Sequence, residues 1–395
     1  MLNNNCENNN KKLQIEGIPS NAVCIVKSVA DEECALASLI ESQAVLLCKT
    51  IVPCITVCDF NDLIQSIIRT LQTIVQKNNI LENKLRETLN FIQKEGIECL
   101  DYNEQFNLLN NLDSVIESIG SEEFALGYLI DEIGEGVANI KSYCSFNDIK
   151  KVNNVVVTLM RLIVEKNMIL HRKLRTVIKL IEFIKCSEFD IFIKIKKELL
   201  LTIKNCLINS IYKEEKGLAK LIYGESIKIN EALKMCLNDE NLTELDGLIN
   251  IIIDVICSKK RVLEYKLSDS INLLNTVGFS PCEIDSVMDY LKELQLLTFA
   301  AECELAKLIK NNSKEINKFI EKECTNNCDL KNFNNCISCT LISLLLNINI
   351  GRKNRNAYDF DPYTCNKKNI CNRFNSISNK IDLNNSNETF PEFNY

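Results

Sequence analysis

Apolar side chains recur every three or four positions through most of this chain. Over one stretch Ile67, Ile68, Leu71, Ile74, Leu81 and Leu85 keep the i, i+3, i+4, i+7 order that gathers side chains on one side of a helix. Leu36, Leu39 and Ile40 do the same over a shorter distance. Strict apolar–polar alternation is absent from these segments, so the pattern predicts helices and not strands. Start signals stand between the apolar runs. DFND at 59–62 and SFND at 145–148 each offer an Asp or Ser N-cap with an acid three residues on, and Ser280-Pro281-Cys282-Glu283 offers an N-cap, a proline at N1 and an acid at N3.

The pattern repeats. EECALASLI at 32–40 returns as EEFALGYLI at 122–130, EEKGLAKLI at 214–222 and AECELAKLI at 301–309. The glutamate common to all four copies is Glu33, Glu123, Glu215 and Glu302. A second phrase follows each of the first three: VQKNNILENKL at 75–85, VEKNMILHRKL at 164–174 and CSKKRVLEYKL at 257–267, whose last lysines are Lys84, Lys173 and Lys266. The fourth copy keeps only a degenerate counterpart between Leu345 and Lys353. Repetition at this spacing outranks a domain count taken from length, because each unit is one supersecondary element that cannot bury its apolar face alone.

The predicted architecture is all-α: four tandem antiparallel helical hairpins, about eight long helices, forming an elongated bundle or short solenoid. The units are 21–100, 101–187, 188–279 and a degenerate 280–351. A polar N-terminus, 1–20, and a C-terminal arm, 352–395, lack the period and are expected to be extended or disordered.

Composition narrows the function. The 395 residues carry 46 Lys and Arg against 53 Asp and Glu, a net charge of −7, which gives no basic footprint for nucleic acid or an anionic membrane. No apolar segment near the start resembles a secretory signal, and the longest apolar passage, 336–350, is shorter than the ~20 residues that span a bilayer. The chain is expected to be made in the cytosol. The single histidine, His171, sits where the other copies have Glu82 and Glu264, so it reads as a solvated helix residue. One histidine leaves little room for nucleophile–base pairs or zinc protease motifs, and no phosphate-binding glycine loop is present. Neither an enzyme nor a cofactor is expected.

Twenty cysteines are the unusual feature. Within helices, Cys34, Cys206, Cys257 and Cys303 read as small core residues. Cys324, Cys328, Cys336 and Cys339 form a loosely zinc-like set, the one metal candidate. Cys6, Cys365 and Cys371 near the termini, and Cys48, Cys54, Cys58, Cys99 and Cys144 at helix ends and connections, are candidates for cross-links between molecules. Such thiols would stay reduced in a cytosol and lock an assembly later exposed to an oxidising exterior. The recurrent acids and bases suggest pairs within each hairpin: Glu33 with Lys84, Glu123 with Lys173, and Glu215 with Lys266.

SVADEECALASLIESQ at 28–43 and SIGSEEFALGYLIDEI at 118–133, with the NNILENKL, NMILHRKL and KRVLEYKL endings, resemble the helical units of clostridial and bacillary spore-surface proteins. The cysteine load is similar to that of cysteine-rich exosporium proteins that assemble into lattices. The resemblance implies a structural, self-assembling protein of a spore outer layer, whether exosporium, coat or appendage, with copies of itself and other spore-surface proteins as partners. A soluble helical-repeat scaffold that binds another protein along one face is the alternative.

Overall fold

The computed structural model describes residues 4–51, 55–140, 143–187, 189–235 and 239–279. All of them belong to the first of two units into which the chain divides, Met1–Asn347 and Ile348–Tyr395. The fourth hairpin, the C-terminal arm and the Ser280 helix start lie outside the described residues.

Nearly all of the described residues are helical, as the period predicts. Helices α1 (Asn4–Thr50) and α2 (Val57–Glu95) form the first pair, and α3 (Tyr102–Ala138) and α4 (Phe146–Ser187) the second. In the third pair the first member is built from α5 (Phe189–Thr202), a π-helical segment (Ile203–Ile208) and α6 (Asn209–Lys234), followed by α7 (Asp239–Val277). A π turn holds an extra residue inside a helix, and here it falls where the repeat step lengthens from 90 to 92 residues. At 39 residues, α2 and α7 are each about 58 Å long at 1.5 Å per residue.

Each α2-type helix folds back antiparallel on its partner, and the pairs stack side by side. Helices α1, α3 and α6 pack in one layer, and α2, α4 and α7 in a second. The connections line up too: Ile55, between α1 and α2, makes an isolated parallel bridge to Ile140, between α3 and α4. One apolar core runs through all three pairs, from Val26 and Ile40 through Leu71, Leu126 and Ile163 to Leu221 and Ile252.

Capping follows local chemistry. Asp101 accepts from the Glu104 amide while the Glu104 side chain accepts from the Asp101 amide, a reciprocal box that starts α3. Ser145 and Asp148 form the same box before α4, as their spacing predicts. At α2 the cap is Thr56, whose hydroxyl accepts from the Asp59 amide, so the helix starts three residues ahead of the expected Asp59 cap. The polar N-terminus also departs from expectation: α1 begins at Asn4 and runs through Gly17 and Pro19. Extending a formed helix by one residue is far easier than nucleating one.

Parallel helices α3 and α6 meet along glycines. A Cβ on Gly127 would sit 2.8 Å from the backbone of Glu214, one on Gly134 2.6 Å from the Leu221 nitrogen, and one on Gly217 2.6 Å from the Gly127 carbonyl oxygen. Only hydrogen fits at these positions, and its absence of bulk lets the two backbones touch.

Candidate functional site

The two repeated phrases face each other inside the stack and build a ladder of buried charge. The first glutamate of each phrase pairs with a lysine of its own pair: Glu32 with Lys77, Glu122 with Lys166, and Glu214 with Lys259. The second glutamate reaches across to the next pair. Glu33 on α1 takes Lys173 on α4, and Glu123 on α3 takes Lys266 on α7 with Nζ and Oε1 2.6 Å apart. Glu33, Glu122, Glu123, Glu214, Lys166, Lys173, Lys259 and Lys266 are all buried.

Neutral side chains complete the rungs. Lys173 donates to the Asn78 carbonyl oxygen, and the Asn78 amide donates to Glu122 at 3.2 Å. One pair further on, Lys266 donates to Asn167 Oδ1 at 2.5 Å, and Ser210 Oγ donates to Glu123 at 2.9 Å. At the corresponding place in the third pair stands Lys260, whose ammonium approaches Glu215 to 3.9 Å, so the third pair supplies its own cation where the others use a neighbour's.

Burial shifts these groups in opposite senses. Desolvation lowers Lys166 well below its ordinary value, with Lys173 repelling it further, and lowers Lys173 against the pull of Glu33. Lys259 is brought down to about 8, mainly by desolvation. Desolvation raises Glu123, opposed by Lys266. Each charge is tolerable inside the stack only because its counter-charge is delivered by a neighbouring helix.

The hairpin pairing expected from sequence is therefore displaced by one unit. Lys84, expected beside Glu33, instead donates to Ser28 Oγ at 3.2 Å and to Glu32 at 3.3 Å. Glu123 takes Lys266 and not Lys173, and Glu215 faces Lys260 and not Lys266. The cause is lateral packing: α4 lies against α2 and α7 against α4, which carries the second lysine of each pair over the preceding acid. Lys77, Lys166, Lys259, Asn78 and Asn167 stand outside the pairs expected from the recurrent Glu and Lys. Their signal was present in the K-N-x5-K spacing of the first two later phrases, with the lysines seven positions apart, two turns along one helix face.

His171 is not a solvated residue. It is partly buried, its Nε2 lies 2.7 Å from Asp269, and its ring stacks on Tyr265 at 6.0 Å. Desolvation lowers its pKa, opposed by the Asp269 hydrogen bond. The same junction one pair earlier holds Glu82, which accepts from Arg172 Nε at 3.0 Å and Nη2 at 2.7 Å. Both are lateral ties between α2-type helices.

Among the described residues no cysteine is in a disulfide. Cys48, Cys58 and Cys144 are exposed at the end of the stack where the hairpins turn, and Cys99 is exposed at the other end, in the 3-10 turn Ile97–Cys99. Cys6 falls in the first turn of α1, and Cys54, Cys365 and Cys371 lie outside the described residues. Of the cysteines read as core, Cys257 is buried, Cys206 is half-buried against Gly120, and Cys34 is exposed on α1, where it feels the charge of Glu117 on α3. Cys303 and the set Cys324, Cys328, Cys336 and Cys339 lie outside the described residues. Among the described residues no group of His, Cys, Asp and Glu is arranged to hold a metal, and no helix is long and apolar enough to cross a membrane.

The three helix pairs coincide with three matches to one family model. The alpha-helical endospore appendage domain matches residues 22–92, 109–181 and 203–274, more than half of the chain. No curated protein and no solved structure matches it.

Proposed function

Because this chain belongs to the family of the alpha-helical endospore appendage domain, we propose that it is a structural subunit of a spore outer layer or appendage that assembles with copies of itself and is then fixed by disulfides between copies. The observation that carries this reading is the repeated junction. The chain joins three copies of the domain through interfaces whose buried charges are shared between neighbours, so the working surface of each unit is the face it shows to the next. Paired Glu and Lys set within an apolar interior support a role in holding units in register, since a misaligned unit would bury unpaired charge.

The thiols fit a second, later step. Cys48, Cys58, Cys99 and Cys144 stand at the two ends of the pairs, exposed, where a neighbouring molecule can reach them. Desolvation holds the Cys48 thiol above its ordinary value, and does the same at Cys34. These two therefore carry little thiolate in a neutral cytosol, and disulfide exchange proceeds through the thiolate. Assembly would then precede locking. Residues 280–351 as a fourth unit and 352–395 as a connecting arm belong to the same proposal.

Electron microscopy of the purified full-length chain with and without reductant tests the reading. Ordered sheets, tubes or filaments that resist heat until reduced are the expected result. Dispersed particles in both conditions would overturn it in favour of a helical scaffold that acts by binding another protein.

A further inference from the structure

The first helix pair exposes a face that the second and third pairs bury. Leu39 is 48% exposed, whereas Leu129 and Leu221, which hold its place in the later copies of the phrase, are both fully buried. Ile80 is 61% exposed, and its counterparts Ile169 and Val262 are buried. The ionic positions follow the same rule. Lys84 retains 36% of its side-chain surface, while Lys173 and Lys266 are buried, and Ser28 and Glu32 are partly open where Ser118, Ser210, Glu122 and Glu214 are closed. What closes these positions in the second and third pairs is the preceding pair, packed α1 on α3 and α2 on α4. A face made to stay in water would be polar, as the outer face of a capping repeat is. This one keeps the apolar residues, the serine and the lysine of an internal junction.

We propose that this face, formed by Ser28, Glu32, Leu39, Ile80 and Lys84, receives the fourth repeat of a second copy of the chain, head to tail, with a glutamate of that copy taking Lys84. The proposal rests on the self-assembly reading above and adds the surface, the polarity and the residue pair. Inside the chain the rule is fixed: the second lysine of each pair takes the second glutamate of the pair before it, as Lys173 takes Glu33 and Lys266 takes Glu123. Among the described residues no glutamate of another pair reaches Lys84, which bonds instead to Ser28 and Glu32 of its own pair.

The other half of the bond is written in the fourth phrase. It reads AECELAKLI where the first two read EECALASLI and EEFALGYLI, so the glutamate that bonds within a pair has become Ala301, while the glutamate that bonds to a following pair is kept as Glu302. Glu302 lies outside the described residues, and its assignment rests on this pattern. A glutamate of the kind that bonds to a following pair, kept in the fourth phrase, and a partly exposed lysine of the kind that takes it, on the first pair, are complementary. A contact between two different surfaces of the same molecule does not close on itself by a two-fold axis, and it propagates as a ring or a filament.

Zero-length carbodiimide cross-linking of assembled full-length protein, mixed from unlabelled and 15N-labelled chains, tests the pairing. The expected product is a Lys84 peptide joined to a Glu302 peptide with mixed labels. Lys84 links that carry only matching labels, to Glu32 or to residues of its own C-terminal arm, would overturn the proposal. Charge exchange provides the second arm. Lys84→Glu and Glu302→Lys are each expected to abolish sedimentable assembly while leaving the helical circular dichroism unchanged at Lys84→Glu, and the double variant is expected to restore it. Ile80→Asp is expected to fold normally and, added at one part in ten to wild type, to shorten the polymers by capping one end. Wild type that assembles while Lys84→Glu and Ile80→Asp assemble equally well would refute this interface and leave the self-assembly reading standing. Wild type that never assembles would refute both.

Discussion

Lys173 on α4 ends on the carboxylate of Glu33 on α1, and neither side chain touches solvent although 140 residues separate them. The bond joins the second helix of one unit to the first helix of the unit before it. Removing one partner leaves a buried charge with nothing opposite. Lys173→Met is expected to lower the unfolding free energy by ~3–5 kcal/mol, and the combined Glu33→Leu and Lys173→Met to recover most of that loss. Urea titration of the two single variants and the double variant closes the cycle. Equal stability of Lys173→Met and wild type would show that the bond contributes nothing.

The glycine seam between α3 and α6 gives a second expectation. At Gly134 a methyl group would meet the backbone of Leu221 and Lys220, which cannot rotate away, so Gly134→Ala is expected to cost ~1–3 kcal/mol. Gly247 on α7 faces open space, and Gly247→Ala is expected to add ~0.5–1 kcal/mol by removing backbone freedom from the unfolded chain. Thermal melts of the two variants should move in opposite directions.

Asp113 on α3 makes stability depend on pH. Desolvation pushes its carboxyl up to about 6, opposed by the Thr202 hydroxyl and assisted by Glu117 and Glu198. The folded chain therefore holds this proton more tightly than the unfolded one. Its stabilising contribution is complete below about pH 4 and is lost as pH rises through about 6, on the order of 2–3 kcal/mol. Asp113→Asn should lack that part of the slope when denaturant midpoints are compared between pH 4 and pH 7.

Thiol reactivity should sort by position. In the reduced chain Cys58 and Cys99, both exposed, are expected to alkylate within the first minutes of maleimide treatment. Cys257 is buried, and burial pushes the Cys206 thiol up to about 12, so both should be modified only on unfolding. Peptide mass spectrometry over a time course reads the order directly, and early labelling of Cys257 would contradict the packing of α7.

Much of the fold was legible in the chain because helical periodicity is a local signal. Ile67, Ile68, Leu71, Ile74, Leu81 and Leu85 are all buried, as their spacing requires. The partners of the charged residues were not legible, because spacing says which face a side chain occupies and not which neighbour lies over that face. Glu33 and Lys84 do sit on facing helices of one hairpin, yet lateral stacking brings Lys173 closer. Leu39 shows the same limit from the apolar side: its spacing places it on the packed stripe, yet among the described residues no other pair lies over it. The importance of Gly127, Gly134 and Gly217 was hidden as well, since a missing side chain has no period of its own.

The bridge between Ile55 and Ile140, and the one-unit offset of the glutamate–lysine bonds, have a consequence for how such a gene can change. Both described junctions use the same acid and the same base in the same sense, so the two cut ends left by excising the second unit still match: without it, Glu33 would meet Lys266. Unequal recombination can lengthen or shorten the protein by one unit at a time, and each product inherits a junction that already fits.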